Sequence, residues 1–146
     1  MTGKRDFTEE EWKTVLEGPP SAGVIVAAAA RGGTFKESFA MAKAYVEARQ
    51  QHGQSELLDE IESARPEIDH SGFRSYDELK TAGLQHLRDA VAVLERKATP
   101  EEIDAYRRFV MSVAERVASA HREDGVEISG PERAAMDEVA AAIGPT

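Results

Sequence analysis

Residues 100–122 read PEEIDAYRRFVMSVAERVASAHR, and this stretch decides the fold class. Its apolar residues recur at intervals of 3, 4, 3 and 4 positions: Ile103, Tyr106, Val110, Val113 and Val117. Because an α-helix makes one turn in 3.6 residues, this spacing aligns them in one stripe, with Phe109 beside it. The stretch therefore predicts an amphipathic helix whose apolar face packs against other helices.

Other segments show related patterns. Two further stripes consist of Leu79, Leu87, Val91 and Leu94, and of Phe35, Phe39, Ala42 and Val46. The segment from Ser21 to Ala30 differs, because it has no charged residue on any side. We expect this segment to run as a helix through the centre of the bundle. Its short apolar run, Val24–Val26, is expected to be helical rather than extended, because four alanines follow it.

Five capping boxes mark helix starts. In such a box a Ser or Thr side chain accepts a hydrogen bond from the third helical amide, and a Glu three positions on accepts one from the capping residue. The boxes occupy residues 8–11, 34–37, 75–78, 99–102 and 129–132. Phe7 and Trp12 flank the first box at the spacing of a hydrophobic staple. This density of start signals is typical of a helical protein.

Glycine and proline residues supply the stop signals, and Gly18-Pro19-Pro20 is the first of them. Together the signals predict seven helices, at about residues 8–17, 20–31, 34–52, 55–64, 75–97, 100–122 and 131–143. The predicted fold is therefore all-α: a single-domain bundle over residues 1–146, with a central apolar helix. Pseudo-repeated units are expected at about 20–50 and 105–144.

The composition narrows the classes of function. The 146 residues include 27 acidic and 18 basic side chains, so the net charge is −9 and nucleic acid is not an expected partner. The absence of cysteine excludes disulfides, thiolate zinc sites and cysteine nucleophiles. The longest uncharged stretch, residues 18–30, is shorter than the roughly 20 residues of a membrane span. Without a signal-peptide pattern, we expect a cytoplasmic protein that does not bind membranes.

Few residues suggest catalysis. The histidines at positions 52, 70, 86 and 121 are too far apart to form a two-ligand pair on one helix face, and we expect them in loops or on the surface. Glu67 and His70 form one Glu-x-x-His motif, whereas a carboxylate-bridged di-iron bundle needs two. If the chain is an enzyme, Glu67, Asp69 and His70 are the candidate residues. Arg107 and Arg108, opposite the apolar stripe, are expected to lie on a solvated face.

The segment 121–132 superficially resembles a calcium loop. An EF-hand with Gly125 as its sixth residue needs oxygen ligands at positions that hold Ala120 and Arg122, and a glutamate where Pro131 stands. The EF-hand interpretation therefore fails. A looser divalent-cation site remains open, with Asp124, Glu127 and Glu132 as its ligands.

The same segment also fits a plain turn without a cation. In that interpretation Gly125 reverses the chain, Ile128 inserts into the core, and Ser129 and Glu132 cap the next helix.

The two predicted repeat units share a pattern. Each runs from a small-residue helix through a basic residue and a glycine turn into a capping box, at residues 27–37 and 118–132. The second unit resembles the TerB-like (tellurite-resistance-associated) helical family through Asp124, Gly125, Ile128, Ser129 and Glu132. The first copy matches loosely through Gly33, Phe35 and Glu37, and Gly32 stands where the family has its aspartate.

The resemblance implies a non-enzymatic helical binding or scaffold module, associated with divalent cations and stress-response complexes. The glycine at position 32 argues against cation coordination from both units. The expected partner is a protein whose identity the sequence does not give. Two alternatives from other classes remain: a small helical enzyme with a carboxylate and histidine site between helices, and a structural homodimer joined along an apolar stripe.

Overall fold

The described part of the chain is almost entirely helical. The computed structural model describes residues 4–29, 45–47, 57, 60–61, 76–123 and 130–144. Its main elements are a short 3-10 turn, Lys4–Asp6, and four α-helices: α1 (Glu9–Ala29), α2 (Tyr76–Lys97), α3 (Pro100–Glu123) and α4 (Gly130–Ile143). Residues 45–47, 57 and 60–61 are also helical, and no strand occurs among these described residues. The all-α prediction is confirmed for them.

Three of the predicted helices match closely. The segments predicted at 75–97, 100–122 and 131–143 are α2, α3 and α4, with ends that differ by one residue at most. Most residues of the two helices predicted at 34–52 and 55–64 lie outside the described residues. The pseudo-repeats at 20–50 and 105–144 also include such residues, so they stay a prediction.

The predicted break at Gly18-Pro19-Pro20 is wrong. Residues 9–29 form one helix, α1, with both prolines inside it. A proline has no amide proton, so Pro19 and Pro20 leave the carbonyls of Val15 and Leu16 without the donor that a helix normally supplies. The Tyr106 hydroxyl, from α3, donates to the Val15 carbonyl oxygen at 2.7 Å and takes the place of the missing amide. A tertiary contact thus satisfies one of the two orphaned carbonyls.

Local signals explain where the helices begin. Thr8 and Glu11 exchange hydrogen bonds of 2.9 and 3.1 Å, which is the predicted capping box of α1. The Phe7 and Trp12 rings lie 5.7 Å apart, as the staple spacing predicts. At the start of α3, Thr99 and Glu102 form the same reciprocal pair at 2.9 and 3.2 Å. The boxes that begin at residues 34, 75 and 129 include residues that are not described.

The core lies around the second half of α1. Residues 22–26 are buried, and α1 contacts α2, α3 and α4. Gly83 on α2 faces Ile25, and a Cβ atom at Gly83 would lie 2.8 Å from Ile25 Cδ1, so the glycine allows α1 and α2 to approach closely. The predicted central position of this segment is confirmed for residues 22–26.

The apolar stripes of α2 and α3 are buried as predicted. The α2 stripe consists of Leu79, Leu87, Val91 and Leu94, and the α3 stripe of Ile103, Tyr106, Val110, Val113 and Val117. Phe109 is buried beside the α3 stripe. Each large apolar side chain removed from water contributes about 1.5–3 kcal/mol, so packing of these stripes stabilises the helices more than intrinsic propensity does.

Two side chains correct the predicted faces. Val46, assigned to a buried stripe, is 48% exposed, whereas its neighbour Tyr45 is buried and packs edge-on against Phe109 with ring centroids 5.0 Å apart. Adjacent helical residues differ by about 100° around the axis, so among the described residues 45–47 the buried position is 45 rather than 46. The Arg107 side chain is only 15% exposed, because it reaches the end of α4, while Arg108 is exposed as predicted.

Candidate functional site

The predicted cation ligands lie at the connection between α3 and α4. Asp124 and Glu127 are outside the described residues, in the segment 124–129 that follows the end of α3. Glu132 belongs to the first turn of α4, and its side chain is likewise not described. All three residues are therefore close in the chain and flanked by two helices that contact each other. The cation site stays a prediction.

The alternative catalytic residues, Glu67, Asp69 and His70, also fall outside the described residues. Within the ranges that are described, no group of three or more His, Cys, Asp or Glu side chains is arranged to hold a metal ion.

One pair of chemically reactive side chains meets between α1 and α2. Ser21 Oγ lies 3.4 Å from His86 Nδ1, and both residues are partly buried. The Ser21 hydroxyl also donates to the Glu17 carbonyl oxygen at 2.7 Å. A nucleophilic serine must give its one proton to a base, and here the shorter contact directs that proton to the backbone. The pair is therefore arranged for packing between helices rather than for nucleophilic attack.

His86, which was expected in a loop or on the surface, has intermediate exposure. It lies within α2 and is partly buried against α1. It directly precedes the buried stripe residue Leu87 and follows Gly83, which faces Ile25 of α1, by three positions. His121 lies in α3.

Tyr106 provides the most deeply buried polar contact that the structure describes. Its side chain is fully buried, and the hydroxyl reaches the Val15 carbonyl oxygen at 2.7 Å. Burial raises the pKa of Tyr106 well above its ordinary value, and the nearby Tyr45 raises it further. The phenol therefore keeps its proton and acts as a permanent hydrogen-bond donor. The position of Tyr106 in the apolar stripe predicts a place in the core, whereas its contact with Val15 has no signal in the neighbouring sequence.

Arg107 binds the carboxyl end of α4. Its Nε donates to the Ile143 carbonyl oxygen at 2.6 Å, and its terminal nitrogen lies 3.2 Å from Asp104. Gly144 ends the helix with a φ of +86°, a conformation that glycine adopts easily, and its amide donates to Ala140 at 3.1 Å. The cation satisfies a terminal carbonyl and complements the negative end of the helix dipole. Arg107 thus fastens α4 to α3.

Lys97 connects the end of α2 to the start of α1. Its ammonium nitrogen lies 2.6 Å from Glu11 Oε1 and 2.9 Å from the Asp6 carbonyl oxygen, and it is 5.7 Å from the centre of the Phe7 ring. Lys97, followed by the Thr8 amide, holds the pKa of Glu11 below its ordinary value. Because these groups are partly exposed to water, the contacts orient the helix ends more than they stabilise the fold.

Two further ion pairs join separate elements. Lys80 of α2 lies 3.2 Å from Glu138 Oε2 of α4 and donates to Oε1 of the same carboxylate at 3.4 Å. Arg116 of α3 lies 2.6 Å from Glu47, which holds the described residues 45–47 beside α3. Each pair connects two secondary-structure elements, and the two pairs share no residue, so they do not form one charged site.

The comparisons with known proteins give no match. Neither protein-family models, nor curated proteins, nor solved structures match this chain. Among the helices that the structure describes, none has both the length and the apolar character that a membrane crossing requires.

Proposed function

We propose that this chain is a non-enzymatic helical binding or scaffold module of the TerB-like type. One observation carries the proposal: the hydroxyl groups of Tyr106 and Ser21, both of which lie between helices, donate to backbone carbonyls. The Tyr106 proton is directed to the Val15 carbonyl, and the Ser21 proton to the Glu17 carbonyl. A hydroxyl whose proton is held by a backbone oxygen is poorly placed to act as a nucleophile or as a general acid.

The contacts between helix ends support a scaffold role. Arg107 joins α3 to α4, and Lys97 joins α2 to α1. Such contacts favour one arrangement of the helices and therefore of the outer surface that a partner would meet. The net charge of −9 favours a basic protein partner or cations through long-range attraction. We also propose a cytoplasmic location, which cell fractionation tests directly.

The cation part of the proposal assigns Asp124, Glu127 and Glu132 as ligands. Carboxylate oxygens are the ligands that Ca²⁺ and Mg²⁺ prefer, and these three lie at one connection between two helices. The arrangement is proposed for the second repeat unit only, because Gly32 replaces the aspartate in the first.

Isothermal titration calorimetry of the full chain with Ca²⁺, Mg²⁺, Mn²⁺ and Zn²⁺ tests the cation part. We expect heat of binding with at least one ion, and loss of that heat in Asp124→Ala. Asp77→Ala is the matched control, because Asp77 is an exposed carboxylate at the start of α2 and is expected to leave the heat unchanged. Silence with all four ions contradicts the cation assignment, and heat that persists in Asp124→Ala places binding elsewhere.

The scaffold part is tested by capture of partners from the native host, followed by binding of the purified candidate. A scaffold is expected to bind its partner in a ratio that purified components reproduce. Sedimentation distinguishes the structural homodimer, which has twice the monomer mass of 15.9 kDa and dissociates on dilution. A purified chain that turns over a substrate, with the activity lost in His70→Ala, would contradict the proposal in favour of the enzyme.

A further inference from the structure

The two prolines divide α1 into two parts that are weakly connected through the backbone. In an α-helix, the amides of residues 19 to 22 would donate to the carbonyls of residues 15 to 18 and so link the two parts. Pro19 and Pro20 cannot donate, which leaves only the amides of Ser21 and Ala22 for this purpose. Half of the backbone hydrogen bonds that cross this point are therefore absent.

The two parts are also held differently by the rest of the protein. Residues 22–26 are buried among the other helices. The part before Pro19 has a mixed surface: Trp12 and Val15 are buried, whereas Glu9, Glu10 and Lys13 are exposed. Its far end is held by the buried Phe7 and by partly exposed charged contacts of Lys97, and water and salt weaken the charged contacts.

The Tyr106 hydrogen bond compensates for the interruption. Its hydroxyl donates to the one carbonyl that Pro19 orphans, and this carbonyl belongs to the weakly connected part of α1. Gly18 is buried beside the hydroxyl and has no side chain to displace it. The contact therefore ties the first part of α1 directly to α3, independently of the second part.

From these observations we propose that residues 4–18 form an N-terminal arm that opens from the bundle as a unit. The arm turns about Gly18-Pro19-Pro20, and the hydrogen bond from Tyr106 to the Val15 carbonyl keeps it closed. The proposal concerns a conformational device of this chain and holds whether or not the chain is a scaffold. Local opening of this kind has a lower free energy than complete unfolding, because only part of the structure separates.

Native-state amide hydrogen exchange of the full chain tests the proposal. We expect the amides of residues 12–18 to exchange at least tenfold faster than those of residues 22–26, at low denaturant concentration. Tyr106→Phe removes only the hydroxyl, and we expect it to accelerate residues 12–18 by about another tenfold, which corresponds to about 1.4 kcal/mol. Residues 22–26 are expected to keep their rates.

Ser21→Ala is the matched control. It also removes a hydroxyl bound to a carbonyl of α1, but the Glu17 carbonyl keeps the helical amide of Ser21 as a donor. We therefore expect the exchange of residues 12–18 to stay within about twofold of the wild type. An acceleration equal to that of Tyr106→Phe would show that the orphaned carbonyl has no special role, and would overturn the proposal.

Pro19→Ala gives a second, independent test. The new amide can donate to the Val15 carbonyl, so the arm should open less often and Tyr106→Phe should then change the rates by no more than about twofold. Equal exchange rates on both sides of Pro19 in the wild type would overturn the proposal. An undiminished effect of Tyr106→Phe in the Pro19→Ala background would do so as well.

Discussion

Gly18→Ala is the substitution for which this structure reverses the usual expectation. Replacing a glycine inside a helix by alanine normally stabilises the helix by about 0.8–1.0 kcal/mol. At Gly18 the added Cβ atom would overlap the Tyr106 hydroxyl and would lie 3.2 Å from the ring carbon Cζ. It would also approach Ala90 Cβ at 3.5 Å, so the methyl group has little space on that side. The backbone or the tyrosine must therefore move.

The size of the effect follows from three contributions. Overpacking of a well-packed core costs typically about 1–3 kcal/mol. Displacement of the tyrosine also breaks its hydrogen bond to Val15, at a cost of about 1 kcal/mol. The gain in helix propensity offsets about 1 kcal/mol of this loss. We therefore expect Gly18→Ala to lower the free energy of unfolding by about 1–3 kcal/mol.

Urea denaturation provides the measurement, with the fluorescence of Trp12 as a probe, because it is the one tryptophan of the chain and is buried in α1. Circular dichroism should give the same midpoint if unfolding is two-state. Gly83→Ala is the comparison: its Cβ atom would lie 2.8 Å from Cδ1 and 3.0 Å from Cγ1 of the buried Ile25, so it also overpacks the core, but it displaces no hydrogen-bonding group. We expect Gly83→Ala to lose less than Gly18→Ala, about 0–2 kcal/mol, because helix propensity offsets about 1 kcal/mol of the overpacking and no hydrogen bond is broken.

The double variant Gly18→Ala/Tyr106→Phe tests the reason for the effect. Without the hydroxyl, the atom that the new methyl group would overlap is gone, and the Val15 hydrogen bond is lost only once. We expect the double variant to be at least about 1 kcal/mol more stable than the sum of the single losses implies. Additive losses, or a Gly18→Ala protein more stable than the wild type, would refute the reasoning.

Three further outcomes are expected. Phe109→Ala should cost about 3–5 kcal/mol in urea denaturation, because Phe109 is buried against the core, and a loss below about 1 kcal/mol would contradict this. Thr99→Ala removes the cap of α3 and should cost about 0.5–2 kcal/mol, whereas an unchanged Tm would show that the cap is dispensable. Lys97 lowers the pKa of Glu11 in the folded protein. The ionised Glu11 therefore stabilises the fold fully above its unfolded pKa near 4.5, and this stabilisation is lost as the pH falls through the lower folded pKa. Glu11→Gln should therefore flatten the dependence of stability on pH below pH 4.5, and parallel curves for the two proteins would contradict that.

The helices were predictable where their signals are local. The cap at Thr99 specifies the start of α3, and the stripe that contains Val110 specifies its buried face. Both signals lie within the helix or directly before it. The continuation of α1 through Pro19 could not be predicted in this way. The donor that makes it possible, Tyr106, is 91 residues from Val15 along the chain. No window of neighbouring residues contains that information.

The same difference between local signals and distant contacts applies to Arg107, to Tyr45 and to the candidate ligands. Arg107 was assigned to a solvated face from its position on α3, but its partner, the Ile143 carbonyl, is 36 residues away. The buried position of Tyr45 depends on where Phe109 lies across the interface. The proposed ligands at 124, 127 and 132 come from a motif, and their assignment rests on the sequence. Position along a helix was predictable, whereas contacts between helices were not.

The contact between Tyr106 and the proline segment has an evolutionary consequence. Residue 106 is far along the chain from residues 18 and 19, yet a change at one of the three alters which amino acids are acceptable at the others. A homologue with a non-proline residue at position 19 would no longer require a hydroxyl at position 106. One with alanine at position 18 should carry a smaller or hydroxyl-free side chain there. Substitutions at these three positions should therefore covary among homologues.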